Sequence, residues 1–518
     1  MTSKVLPRSG LWQRNSMRQT TSLMPLPRHV LAMSSRNVSS SLKPLVCSAL
    51  ANAASEDVPF TAKCIRDRKT VTNKTILISR WFLQEKRNMR LCFSSCYSTT
   101  ILPLQKATGS RSPYKDVRRG FCARRQAPEP TSRPAVTSLS EEELALKEHV
   151  SVFAKEVIGP KVREMDDKGE MHPDVIAACF DMGIMGIEAP VEYGGVGLGF
   201  TAACVVIEEI AKVDPAVAVM VDIHNTLNIT AFNRYATHEQ KEKYFPRLCQ
   251  SSLSSFCLSE SGSGSDAFAL KTKAEWDEAS QEWVLNGTKS WISNSKEAEI
   301  FIIFANTNFS EAHKGITAFI VEKSNPGITV GAKEDKLGIR ASSTCEVTLE
   351  NCRVSQDAML GKRGQGYKMA IELLNEGRIG IGAQMVGLAL GAFENTLPYL
   401  HERKQFGRTV ADFQGMQFQY ARALMEIEAA KVLVYNAARL KEAKAPFVME
   451  AAMAKLKATE VAQSTASQCI DWLGGIGFTK GMPAEKYYRD SKIGTIYEGT
   501  SNIQLVTIAK QIQAGYKI

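Results

Sequence analysis

The sequence predicts an α+β fold, mostly α, in three blocks: helices, a central β block, then helices again. Three observations carry this. Apolar residues recur at helical spacing from Ser140 to about residue 250. Short runs rich in β-branched and aromatic residues fill 255–355. From Tyr367 onward, long stretches rich in Ala, Leu and Met return to the helical pattern and stay there. Strands do not alternate with helices, so a parallel doubly wound sheet is not expected.

In the first block, Ser140-Glu141-Glu142-Glu143 is a capping box that opens a helix. Its apolar positions are Leu144, Leu146, Val150, Phe153, Val157 and Ile158. Asp174 starts a second helix ending toward Gly183, and a third runs from Phe200 to Lys212. Asp214-Pro215 combines an N-cap with proline at the first helical position, and that helix continues to about Ala236. Thr237-His238-Glu239-Gln240 is another capping box. In the β block, strands are expected at 255–258, 283–285, 288–292, 301–304, 316–321 and 346–349, with Asn286-Gly287 as a tight turn between the second and third. Helices follow near 367–402, 412–443 and 447–472, then one from Ile503 to Ala514. The expected domains are 137–254, 255–356 and 357–518, preceded by an extension, 1–136.

The formal charge of +10 belongs to that extension. Residues 1–138 hold 24 of the 64 basic and 6 of the 54 acidic residues, a net of +18, leaving 40 against 48, a net of −8, for the rest. The body therefore has no basic signature of nucleic-acid binding. No apolar run is long enough for a membrane span. Residues 1–55 are rich in Arg and Ser with no acid before Glu56, as in a mitochondrial transit peptide. A disordered basic tail or an untranslated upstream exon reads the same way. Cys47, Cys64, Cys92, Cys96 and Cys122 lie in the extension; the seven body cysteines form no CxxC pair and read as reduced core residues, with no metal site.

Five stretches have the composition for chemistry. Ser259-Glu260-Ser261-Gly262-Ser263-Gly264-Ser265-Asp266 reads either as a small-residue cradle for phosphate or as a flexible loop. Trp291, beside Ser290 and Ser293, suits either stacking on a flat ring or burial in a core. Arg378, in Asn375-Glu376-Gly377-Arg378, pairs with an anion or lies on a helix surface. Arg403 to Gln414 is a helix end, a turn and a new helix, with or without a function. Asp471-Trp472-Leu473-Gly474-Gly475 is a helix cap or a place of close cofactor approach. To these the chain adds Tyr497-Glu498-Gly499-Thr500-Ser501-Asn502.

Taken in order, with Ile207-Glu208-Glu209-Ile210-Ala211-Lys212-Val213-Asp214, Phe256-Cys257-Leu258-Ser259-Glu260 and Leu337-Gly338-Ile339-Arg340-Ala341-Ser342-Ser343-Thr344-Cys345, these stretches resemble the acyl-CoA dehydrogenase family over 140–516, nearest its short/branched-chain branch. The resemblance implies a helical domain, a β domain and a carboxy-terminal four-helix bundle. It also implies bound FAD, a homotetramer, electron-transfer flavoprotein as electron acceptor and the mitochondrial matrix as location. By the same resemblance Phe256, Cys257, Leu258, Ser259, Glu260, Ser261, Gly262, Ser263, Gly264 and Ser265 line the flavin and pyrophosphate, and Ser265 also meets the CoA part of the substrate. Trp291, Ile292 and Ser293 flank the ring; Arg403, Gln414, Asp471, Trp472, Leu473, Gly474 and Gly475 reach FAD across a subunit interface. Thr500, Ser501 and Asn502 meet its adenosine diphosphate, and Tyr367, Asn375, Glu376, Gly377 and Arg378 the substrate.

An acyl thioester has a weakly acidic α C–H, so its removal needs a placed base. The resemblance gives that role to Glu498, with its backbone N–H donating to the thioester carbonyl and a hydride passing to FAD N5. The expected reaction is α,β-dehydrogenation of short or 2-methyl-branched acyl-CoA, such as 2-methylbutyryl-CoA, to the 2-enoyl-CoA. Other members carry the base just before the matching Arg, which is Gly377 here; Glu376 is one residue, about 100° of helix, away. Ser261, Ser263, Asp471 and His313 depart from the commonest family residues. The rival readings are an oxidase, an enoyl-CoA reductase running the reverse direction, and a non-catalytic assembly factor.

Overall fold

A computed structural model describes residues 135–516. Residues 1–134, and with them the transit-peptide reading and its five cysteines, lie outside the described residues. Helices α1 (Glu141–Phe153), α2 (Val162–Lys168), α3 (Pro173–Asp181), α4 (Phe200–Ala211), α5 (Pro215–Asp222), α6 (Thr230–Tyr235) and α7 (His238–Gln250) form the first layer. Strands β1 (Ser254–Cys257), β2 (Lys273–Asp277), β3 (Glu282–Ser293), β4 (Ile300–Asn306), β5 (Ile316–Glu322), β6 (Ile328–Lys333), β7 (Thr344–Ser355) and β8 (Met359–Leu360) form one eight-stranded sheet. Helices α8 (Gly366–Glu402), α9 (Gln414–Glu442), α10 (Val448–Leu473), α11 (Ala484–Ser491) and α12 (Ser501–Gly515) complete the chain.

Both capping boxes form as expected, at Ser140 and Thr237, and the Asp214 carboxylate caps α5. The apolar helix from Pro215 is not uniform, because Ile223–Ile229 widens into a π-helical segment between α5 and α6. Such segments are rare and recur at functional sites. On α1, Leu144 is 47% exposed rather than inward. The buried place on that turn goes to Glu143, whose carboxylate takes two bonds from Arg439.

The sheet runs β6-β7-β3-β2-β4-β5-β8, with β1 added parallel to β4. β4 is buried throughout, and its residues alternate between two cores. Ile300, Ile302 and Phe304 join the helical core, while Phe301, Ile303 and Ala305 join the far face of the sheet. The two-residue side-chain period of a strand produces this split. Asn286-Gly287 is not a turn: β3 passes straight through it, with a shift of register against β7 between Leu285 and Gly287. Gly287 has φ +151°, and a Cβ there would lie 2.5 Å from Thr272 Oγ1, so the glycine serves a close strand crossing instead. The reversal before β3 falls at residues 278–281.

Helix α8 is the longest of the described helices, 37 residues and about 55 Å long. It packs on α10 and α4, and glycines open that contact. At Gly387 and Gly391 a Cβ would come within 2.3 Å of the Glu208 and Lys212 carbonyls. α10 ends where Gly474 adopts φ +65°.

Candidate active site

Of the expected substrate residues, Gly377 and Arg378 face the expected base, Glu498, where α8 passes the loop before α12. A Cβ at Gly377 would stand 2.9 Å from Glu498 Oε2 and 3.0 Å from Leu227 Cδ2. The glycine is thus the notch that receives the carboxylate. Glu498 itself has φ +49°, a left-handed conformation that a non-glycine residue adopts at a cost of about 1–3 kcal/mol. The surroundings impose it. Gln504 Nε2 donates to the Glu498 and Gly499 carbonyls, at 2.9 Å each, and Lys455 Nζ donates to Gly499 O at 2.8 Å and Gly494 O at 2.5 Å.

Glu498 is half-buried as a residue, but its Oε2 is closed off from solvent and accepts no hydrogen bond. Burial of the carboxyl raises its pKa to about 7, against the pull of Arg378 and Lys455. Its backbone N–H has no acceptor among the described residues. Arg378 donates to Asn375 Oδ1 at 2.7 Å, and its Nε has no partner.

Glu376 points elsewhere. It is fully buried and paired with Arg234 and, at 3.5 Å, with Lys441. One residue of helix separates it from the notch, and that rotation takes it to another face.

One turn along α8 from Gly377, Gly380 receives a second buried carboxyl: a Cβ there would stand 1.9 Å from Asp222 Oδ1. Thr226 donates to this oxygen at 3.0 Å. Burial, then the charge of Glu498, hold the Asp222 pKa well above the usual carboxylate range. Tyr497, beside the base, bonds Gln384. The Tyr367 ring lies tilted between Phe268, with centroids 4.2 Å apart at 60°, and His313, 4.4 Å apart at 48°.

The expected cofactor residues separate into an open loop and its buried supports. Ser261, Gly262, Gly264 and Ser265 are exposed, and nothing lies within 4 Å of a Cβ at either glycine. Cys257, Leu258 and Ser263 are buried, and Phe256 packs on Phe304 at 4.9 Å. Glu260 turns inward, where its carboxylate binds Lys289 Nζ at 2.8 Å, Thr272 Oγ1 at 2.6 Å and two backbone N–H groups. Ser290 N donates to Ser259 O at 2.9 Å and ties this loop to the β3 bulge. There Trp291 is 64% exposed with φ +63°, while Ile292 is buried and Ser293 partly so.

Arg403, Gln414, Asp471, Gly474 and Gly475 lie on the surface, and no hydrogen bond joins them to the 256–265 loop among the described residues. Trp472 and Leu473 are buried, and Trp472 Nε1 bonds Gln419 at 2.9 Å. Thr500 caps α12 through Ile503 N, with Ser501 and Asn502 in the first turn.

Sequence reasoning missed Asp222, Leu227, Phe268, Lys455 and Gln504. Leu227 and Asp222 sit inside an apolar helix, and a lone Lys in an Ala-rich helix reads as solvated.

Three family models match: Acyl-CoA dehydrogenase, N-terminal domain, over 140–252; middle domain, over 255–352; and C-terminal domain, over 364–513. The chain is 58% identical over 377 residues to the probable short/branched chain specific acyl-CoA dehydrogenase of Dictyostelium discoideum, covering 73% of this chain and 91% of that one. It is 52% identical over 379 residues to the mitochondrial short/branched chain specific acyl-CoA dehydrogenase of Rattus norvegicus, covering 73% and 87%. Among solved structures, butyryl-CoA dehydrogenase from Megasphaera elsdenii matches with a TM-score of 0.71 at 35% identity, covering 73% of this chain and 99% of that one.

Proposed function

The chain belongs to the acyl-CoA dehydrogenase family, and from that premise we propose that it dehydrogenates short, 2-methyl-branched acyl-CoA thioesters with Glu498 as the base. It is an FAD-dependent oxidoreductase by family. The residues present fit that cofactor. The loop at 261–265 leaves small exposed residues and open backbone for a pyrophosphate. Trp291 offers an aromatic face, and the α12 amino terminus favours phosphate. Bound FAD supplies the acceptor for the substrate's β-hydride.

The observation that carries the reading is Glu498 Oε2: buried, without a donor, and seated in the Gly377 notch. A carboxylate with no hydrogen bond to lose, and a pKa near neutrality, is suited to taking an α-proton. The unengaged Glu498 N–H is available to the thioester oxygen as charge develops there. The charge of Arg378 opposes the burial of the Glu498 carboxyl and steadies its anionic state. Tyr367, Asn375 and the backbone of Glu376 and Gly377 would line the acyl thioester, and Ser265 its CoA portion. The names of the relatives support a short or branched acyl group and a mitochondrial location.

Electron-transfer flavoprotein is the proposed acceptor. A homotetramer is proposed because Phe406 is 94% and Phe478 85% exposed near the surface residues Arg403, Gln414 and Asp471 to Gly475. In such an assembly those residues would reach a neighbour's FAD.

The test is anaerobic titration of the purified flavoprotein with 2-methylbutyryl-CoA, isobutyryl-CoA and butyryl-CoA. Flavin bleaching, greatest with the branched thioesters, is the expected result. A protein that cannot be loaded with FAD, or that no thioester bleaches, would sink the proposal. The pH dependence follows from the base. Only ionised Glu498 accepts a proton, so kcat/KM is expected to rise with pH through about 7 and then level. A profile flat across neutrality would remove Glu498 from this role.

A further inference from the structure

Lys455 lies in the first third of α10, 0% exposed, among Ala residues. A buried ammonium is costly unless its protons and charge are met. Two of its three protons are met by backbone carbonyls, Gly494 O at 2.5 Å and Gly499 O at 2.8 Å. These oxygens bracket the segment that carries Glu498. Thr459 adds a bond to Gly494 O at 3.3 Å, from one turn further along the same helix. Neither carbonyl supplies a negative charge.

We propose that Lys455 is a positioning residue for the base: it clamps the 494–499 loop in its left-handed conformation, and its buried positive charge is balanced by ionised Glu498. This rests on Glu498 being the base. The clamp and the charge are separable functions of one group. As a clamp, Lys455 shares with Gln504 the task of holding the strained Glu498-Gly499 turn. As a charge, it works with Arg378, which faces Glu498 from α8, against the burial that favours the neutral acid. The other titratable groups facing the base are Asp222, where α5 meets the π segment, and Tyr497 on the loop itself. Neither is positive at neutral pH. Removing Lys455 would therefore leave Arg378 as the one cation among the described residues opposing burial.

The experiment measures the pH profile of FAD reduction by butyryl-CoA in the holoenzyme and in Lys455→Met, Lys455→Gln and Glu498→Gln, with FAD content and melting temperature recorded for each. Lys455→Met removes both functions. Its acid limb is expected to move to higher pH by roughly one unit, since the lost cation favoured the carboxylate, and kcat to fall about 10–100-fold through misplacement of the base. Lys455→Gln keeps an N–H donor but no charge, so it should recover part of kcat while the limb stays displaced. A merely structural lysine would lower activity or stability without moving the limb. An unmoved limb in both folded, FAD-loaded lysine variants, with the wild-type limb abolished in Glu498→Gln, overturns the proposal and leaves the base assignment standing. Normal reduction in Glu498→Gln overturns the base assignment and the proposal with it.

Discussion

Glu498→Gln is expected to yield an FAD-loaded protein that binds butyryl-CoA yet reduces its flavin about 10²–10⁴-fold more slowly, the usual contribution of a positioned general base. Glutamine has nearly the same volume, so it can occupy the Gly377 notch, but it cannot accept the α-proton. The fold should hold, because Oε2 makes no hydrogen bond that the substitution breaks, and the stability cost is confined to the counter-charge that Arg378 and the buried Lys455 lose. No neighbour can take over. Glu376 is held by Arg234 and Lys441 on another face of α8. Asp222 is nearer, but its burial still favours the neutral form once the Glu498 charge is gone, and its Oδ1 already accepts from Thr226. Stopped-flow bleaching under anaerobic conditions measures the loss directly, and equilibrium perturbation of the flavin spectrum reports binding separately. Reduction at the normal rate would mean that the base lies elsewhere, with Glu376 the first suspect.

The sequence reading succeeded where structure is decided within a few residues. The boxes at Ser140 and Thr237 and the cap at Asp214 are satisfied by groups two or three positions away. It failed where a distant partner decides. Asn286-Gly287 has turn chemistry, but β2 and β7 flank it on both sides and draw it into a twelve-residue strand. Helix α11 was not expected, because its buried side is charged: Lys486 binds Asp214 at 2.8 Å and Asp490 at 2.6 Å, and Asp490 accepts from Ile339 N. β2 was missed for a related reason, having exposed Lys273 and Glu275 at alternate positions, and β6 because none of its residues is buried. The site divides in the same way. Glu498 and the α8 residues were legible as short motifs in a fixed order. Their geometry was not, since the meaning of Gly377 as a seat for a carboxylate exists only once α8 and the 494–499 loop are brought together.

Glu376→Ala should cost stability first. The side chain is fully buried, and its carboxylate meets Arg234 and Lys441, while Lys441 also binds Glu188 at 2.5 Å. Truncating one member of such a cluster leaves cations short of their counter-charge, a change that costs about 3–5 kcal/mol when the site is dry. Part of that loss is offset here because Arg234 is about one-third exposed and Lys441 retains Glu188. A fall toward the lower end of the range is therefore expected, read from denaturant midpoints of the holoprotein. Glu376→Gln should fall less, because the amide keeps the volume and can still accept a hydrogen bond from Arg234. The two glutamates on either side of the Gly377 notch thus have opposite signatures. Loss of the Glu498 carboxylate should remove chemistry and cost no stability beyond the counter-charge that Lys455 and Arg378 lose, while loss of the Glu376 carboxylate should weaken the fold and leave the acid limb of the remaining activity near pH 7. A Glu376→Ala protein of normal stability whose acid limb had vanished would exchange the two assignments.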